Sequence, residues 1–125
     1  MKLITLEQLL QMHALVIQET GGSAGLRDLG RLEAALATQT QNVFGEELYK
    51  NTSEKAAALV RAIIADHPFS DGNKRTGMLV GLTFLVINGI TVRFDTGEIE
   101  DFAVTIAIDK LDVTSISAWI DHHIS

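Results

Sequence analysis

The chain has 125 residues, 46% apolar and 21% charged, a balance that excludes intrinsic disorder and suits one domain over residues 1–125. Sixteen acidic against ten basic residues leave a net charge of −6, which repels a polyphosphate backbone and argues against direct nucleic-acid binding. There is no cysteine, so disulfides, thiolate catalysis and Cys-ligated zinc are excluded, and a single proline among few aromatics favours helices over strands. The longest apolar stretch, Met78 to Ile87, is too short to span a bilayer, and the N-terminus lacks a signal-peptide pattern. A soluble cytoplasmic protein without membrane contact is expected.

Thr5, with Gln8 three residues on, predicts the start of a first helix. Leu6, Leu9, Leu10, His13, Val16 and Ile17 share one face of it, and Gly21-Gly22 ends it. His13 on that face reads as a core or boundary histidine. Gly21 to Gly30 reads as a loop, in which Arg27 and Asp28 either form a local ion pair or flank a ligand. A second helix is expected from about Leu29 to Gln41, with Leu32, Ala35 and Leu36 inward. Phe44 to Lys50 follows as a short irregular or helical piece anchored by Phe44, Leu48 and Tyr49.

Ser53 is the expected cap of the next helix, Glu54 to His67, whose two apolar stripes imply burial on most sides. Pro68 stops it. A further helix from Asn73 to Asn88, with Gly89 just beyond, is apolar nearly all round and is the expected central helix. Ile90 to Phe94 alternates like a very short strand. Thr96 should cap a helix to about Lys110, and Thr114 a last one, with Trp119 and Ile120 inward. His122 and His123 read as exposed, and Glu98, Glu100, Asp101, Asp109 and Asp112 as a solvated acidic face. The predicted architecture is an all-α bundle of six to seven helices with a central buried helix.

One polar stretch, His67-Pro68-Phe69-Ser70-Asp71-Gly72-Asn73-Lys74-Arg75, lies between the two most apolar predicted helices. The helix starting near Asn73 leaves its first N–H groups unpaired, and these with the dipole form an anion site. Gly72 removes a side chain where an anion would approach the backbone. Lys74 and Arg75 put two cations at a helix end that disfavours them, which implies a negative group nearby. Asp71 either caps the helix or holds a magnesium ion bridging phosphates. His67 is the group able to move protons near neutral pH. Phe69 is a peg fixing the loop to the core. The plainer reading is a helix-to-helix turn with an Asp71 cap, a satisfied core His67, and solvated Lys74 and Arg75.

HPFSDGNKR closely resembles the signature of the Fic/Doc superfamily, H-P-F-x-(D/E)-G-N-(G/K)-R, and matches it at every fixed position through Arg75. The likeness extends to Leu26-Arg27-Asp28, Leu32 to Leu36, Lys55 to Ala57 and Phe84 to Gly89, and points to the short, all-helical death-on-curing (Doc) branch. Typical Fic adenylyltransferases have Gly where Lys74 stands and a second Arg where Met78 stands. The Doc-like Lys74 implies reversed ATP binding and transfer of the terminal phosphoryl group to a protein hydroxyl. The family's target is a threonine of elongation factor Tu, so the resemblance implies a translation-blocking toxin of a toxin–antitoxin pair.

On that resemblance His67 is the general base and Asp71 positions the metal ion or the substrate hydroxyl. Gly72, Asn73, Lys74 and Arg75 bind the phosphates of ATP with Mg2+, and Phe69 is structural. Two departures stand out: Ala65 replaces an Arg found in the phage member of the branch, and Asp66 replaces a Gly. Arg61, one turn earlier, is the candidate substitute for the missing cation. Many Fic enzymes block themselves with a helix reading (S/T)-x-x-x-E-(G/N). Thr96 to Glu100 comes near it but Asp101 follows, so a separate antitoxin supplying a helical segment is expected. The alternatives are a Fic-type nucleotidyltransferase and a catalytically silent binding module.

Overall fold

In the computed structural model, which describes residues 1–125, six α-helices carry the chain. They are α1 (Leu6–Thr20), α2 (Leu29–Ala37), α3 (Thr52–Asp66), α4 (Asn73–Ile87), α5 (Glu98–Asp109) and α6 (Val113–His122). A 3-10 turn, Thr38–Thr40, continues α2 where the sequence predicts a longer helix. The expected all-α bundle is the observed one, and its sheet is a two-stranded hairpin, β1 (Asn42–Val43) against β2 (Glu46–Glu47). None of the helices is long and apolar enough to cross a membrane.

The helix starts show which capping groups win. Thr5 and Gln8 form the expected capping box on α1. At α3 the cap is Asn51, not Ser53, and its side chain accepts from the Glu54 N–H at 2.8 Å. At α6 it is Asp112, not Thr114, accepting from the Ser115 N–H at 2.8 Å. In both cases an Asn or Asp slightly upstream offers a strong acceptor while its own backbone stays extended, and this outcompetes a hydroxyl inside the helix. At α5 Gly97, in the left-handed region at φ 83°, replaces the expected Thr96.

Other expectations change more. Phe44 is not an anchor: it sits at the hairpin tip, fully exposed. Phe44 and Gly45 have φ 51° and 82°, the left-handed pair that a tight hairpin turn requires. Ile90 to Phe94 forms a single bridge, Val92 with Ile124, because only the C-terminal tail lies alongside to pair with it.

The central helix is α3, not α4. Ten of the fifteen residues of α3 are buried, against eight of fifteen in α4. Small residues explain this, since Ala56, Ala57, Ala58 and Ala62 let neighbours approach on several sides. Across the α3–α4 contact the spacing is set by glycine. A Cβ at Gly81 would stand 2.2 Å from Val60 Cγ2, and one at Gly77 2.9 Å from Ile64 Cγ1. Close packing of these consecutive antiparallel helices holds the C-terminus of α3 beside the N-terminus of α4.

The C-terminal end is closed by an aromatic stack in which Trp119 lies 4.0 Å from both Phe102 and His123, centroid to centroid. His123 is not exposed as expected. Its Nδ1 lies 2.7 Å from the Trp119 carbonyl and its Nε2 meets Glu98, so both ring nitrogens face acceptors and the imidazolium is favoured. The bond to the Trp119 carbonyl, then Glu98, raises the His123 pKa above its ordinary 6.5. The Asp95 N–H, then His123, lowers that of Glu98.

The sign of the pH effect follows. The His123 contribution is present below pH 6.5 and is lost as pH rises through the raised value. The Glu98 contribution is lost as pH falls through its lowered value. In urea titrations from pH 6 to pH 9, the wild-type chain is therefore expected to lose stability that His123→Gln never had. Parallel pH profiles for the two proteins would refute this assignment.

Candidate active site

The polar stretch folds into a loop clamped from three sides. α3 cannot pass Pro68, and His67 closes it in the left-handed region at φ 49°, ψ 59°. Phe69 is 1% exposed, as expected of a peg. The Asn73 side chain clasps the Phe69 main chain, accepting its N–H at 3.1 Å and donating to its carbonyl at 2.9 Å. The glycine-rich stretch 21–28 runs antiparallel alongside. Arg27 and Asp28 N–H groups donate to the Pro68 carbonyl, and the Ser70 N–H donates to the Gly25 carbonyl. The third clamp is α1, through Val16 and Ile17 against Gly72 and through His13.

Gly72 precedes α4 in the left-handed region at φ 78°, ψ 17°, and no side chain caps the helix. The first helical bond runs from the Thr76 N–H to the Gly72 carbonyl at 2.9 Å. The amides of Gly72, Asn73, Lys74 and Arg75 have no acceptor within the chain, which leaves a cradle of free donors able to hold an anion. The reason for glycine differs from the expected one. A Cβ at Gly72 would stand 3.2 Å from Ile17 Cδ1 and 3.3 Å from Val16 Cγ1, so it is α1 and the positive φ that require it.

The two readings of the segment now separate. Asp71 does not cap α4, because its Oδ2 accepts from the Ser23 N–H at 2.8 Å. His67 is exposed instead of being a core histidine, and its Nδ1 lies 3.5 Å from Asn73 Nδ2. Lys74 is exposed and has no carboxylate within ion-pair range. Arg75 is paired with Glu100 at 3.0 Å, so the near-copy of the self-inhibitory sequence does place its glutamate on the signature arginine. Asn73 is buried and its side chain holds the loop, leaving only its amide to face a ligand.

Two cavities flank this arrangement. One of about 660 Å3 lies beside Arg75 between α1, α4 and α5, with Val16, Met78, Leu79 and Ile99 among its apolar walls. The other, about 260 Å3, brings Arg61, Ala65, His67 and Lys110 around one space. Asp28 pairs with Arg31 at 3.3 Å and caps α2, so the local pair does not involve Arg27. No group of three or more His, Asp or Glu side chains could hold a metal ion alone. Asp71 has one oxygen free of protein partners, and a single carboxylate beside an anion cradle fits a magnesium ion whose other ligands are phosphates and water.

Two contributors escaped the sequence reading as parts of the site: His13, which left a trace there as the one polar side chain on an otherwise apolar face, and Ser23, which left none.

An all-helical core presenting four free amides at the start of α4 and an exposed imidazole at the end of α3, on the signature HPFSDGNKR, defines the class. The Fic/DOC family model matches residues 3–85, and the chain belongs to that family. Among its relatives is the protein called Toxin Doc of Mycolicibacterium smegmatis, 39% identical over 100 residues, covering 78% of this chain and 77% of that one. Another is the protein called Protein kinase doc of Escherichia phage P1, 35% identical over 117 residues, covering 94% and 91%. Both stand on the Doc side of the family, as Lys74 and Met78 lead one to expect.

Proposed function

We propose that this chain is a Doc-type toxin that transfers the terminal phosphoryl group of ATP to a protein hydroxyl, the threonine of elongation factor Tu being the leading target. The observation that carries this reading is the run of four unpaired amides, Gly72 to Arg75, at the helix that follows the loop from the exposed His67. The phosphate oxygens rest on those amides, and Lys74 and Arg75 offset their charge. Arg75 does so by exchanging Glu100 for phosphate. Asp71 would hold a Mg2+ ion there, and the ion when bound would supply neutralisation of the charge on the leaving diphosphate. His67 takes the hydroxyl proton as the new O–P bond forms and the bond to the departing ADP breaks. Arg61 and Lys110 supply cations next to the base where Ala65 has none.

The name of one relative, Toxin Doc, supports a toxin, and the resemblance to the Doc branch implies an antitoxin that controls it. The apolar cleft between α1, α4 and α5 is the surface we assign to the antitoxin's helical segment, and the cytoplasm is the expected location of such a pair.

The reading is tested by incubating the protein with elongation factor Tu, Mg2+ and ATP labelled at either its terminal or its innermost phosphate. Label is expected on the target only from the terminal phosphate. Transfer of innermost label would make the chain an AMP transferase, and transfer of neither would leave a binding module.

A further inference from the structure

His13 is 3% exposed and takes no part in the proposed chemistry, yet it touches the catalytic loop twice. Its ring stacks on Phe69 with centroids 3.6 Å apart and planes within 5°. Its Nε2 lies 2.9 Å from the main-chain carbonyl oxygen of Asp71. A carbonyl only accepts, so Nε2 carries the hydrogen of that bond.

The bond bears on the cradle through one peptide plane. In a trans peptide the C=O and N–H groups point in opposite directions, and this chain has no cis bond. With the Asp71 carbonyl drawn onto α1, the Gly72 N–H is turned away from α1 and finds no acceptor in the chain. The opposite orientation would aim the carbonyl oxygen where Gly72 now offers a donor. Glycine at position 72 makes such a flip inexpensive, since it accepts backbone conformations on both sides of φ zero. The plane therefore needs an external lock, and His13 is the side chain that bonds to it.

We propose that His13 is a positioning residue of the phosphate cradle: its N–H locks the Asp71–Gly72 peptide so that the Gly72 amide joins those of Asn73, Lys74 and Arg75. The proposal rests on the phosphoryl-transfer reading above for its effect on rate. Its structural part, the orientation of one peptide, stands apart from that reading.

Two substitutions separate the lock from mere packing. His13→Phe keeps a ring on Phe69 and has no donor. His13→Gln keeps a donor and loses the ring. His13→Phe is expected to melt close to the wild type and yet transfer phosphate about 10²-fold more slowly, at the lower end of what losing one donor to a developing anion costs. His13→Gln is expected to melt lower and to recover most of the rate. In amide NMR spectra with Mg2+ and ATP, the Gly72 signal should shift in the wild type and in His13→Gln, but not in His13→Phe. A crystal structure of ligand-free His13→Phe should show the Asp71 carbonyl released from its α1-facing position.

Activity that follows melting temperature across the two variants would overturn the proposal, because a packing role ranks them the other way. So would an Asp71 carbonyl unmoved in His13→Phe. Should that variant not fold, loss of the Gly72 response in folded His13→Gln overturns it instead. A wild-type Gly72 signal indifferent to ATP defeats the phosphoryl-transfer reading, whereas equal responses in all three proteins defeat the lock alone.

Discussion

Replacing His67 with Asn is expected to lower phosphoryl transfer by about 10²–10⁴-fold, the usual contribution of a positioned general base, while the chain folds as before. The imidazole is exposed and its one side-chain hydrogen-bond partner is Asn73 Nδ2 at 3.5 Å, so its loss leaves no hole in the core. Asn is a better choice than Ala for a reason local to the backbone. His67 occupies the left-handed region, which Asn enters readily and which costs Ala about 1 kcal/mol. The carboxamide is no base near neutral pH, so the proton of the attacking hydroxyl has no acceptor. Because that transfer belongs to the transition state, kcat should fall while KM changes little. Steady-state kinetics check this, with a melting curve as control. Undiminished transfer in the folded variant would remove His67 from the role of base, and undiminished cell toxicity without transfer would return the chain to the class of binding modules.

The second large effect is expected from Asn73→Ala, and it falls on stability first. Its amide satisfies the N–H and the C=O of Phe69, a residue 1% exposed. Truncation leaves both groups buried without partners, at about 1–3 kcal/mol each, or about 2–6 kcal/mol together. That is a large share of a typical domain stability of about 5–15 kcal/mol. In urea the midpoint should drop with an unchanged slope. Asn73→Asp separates the two duties of the position. It keeps an acceptor for the Phe69 N–H, so it should lose less stability than Ala. It also faces the Phe69 carbonyl with a second acceptor, which disturbs the loop that leads into the free amides, so its transfer rate should fall as well. An Asn73→Ala protein as stable as the wild type would mean that the loop is held by the glycine-rich stretch and α1 alone.

Much of this architecture was legible residue by residue. The Thr5 capping box, the stop at Pro68 and the turn at Gly89 depend on chemistry within four residues of themselves, and each stands where local rules place it. The loop between two buried helices was legible for the same reason. Misplaced features share a different property. Ser53, Thr96 and Thr114 are adequate caps judged alone, but a neighbour two residues away, or one in the case of Thr96, does the task better. Phe44 reads as an anchor because it is aromatic, and the hairpin turn displays it instead. The α4 helix is the more apolar of the pair, yet α3 is central because its alanines admit more neighbours.

For the site the division is equally physical. Composition, helix periodicity and the run from His67 to Arg75 were enough to determine an all-helical chain with a polar loop between buried helices, since each of those signals acts over one or two turns. Which amides stay free, and which side chains serve the loop and not the ligand, was decided by tertiary packing alone. Asn73 turns inward to Phe69, Arg75 finds Glu100 twenty-five positions away, and His13 meets Asp71 across fifty-eight. Hydrogen bonds depend on distance and direction in space, and nothing in the linear order of residues records which distant carbonyl a buried imidazole will face.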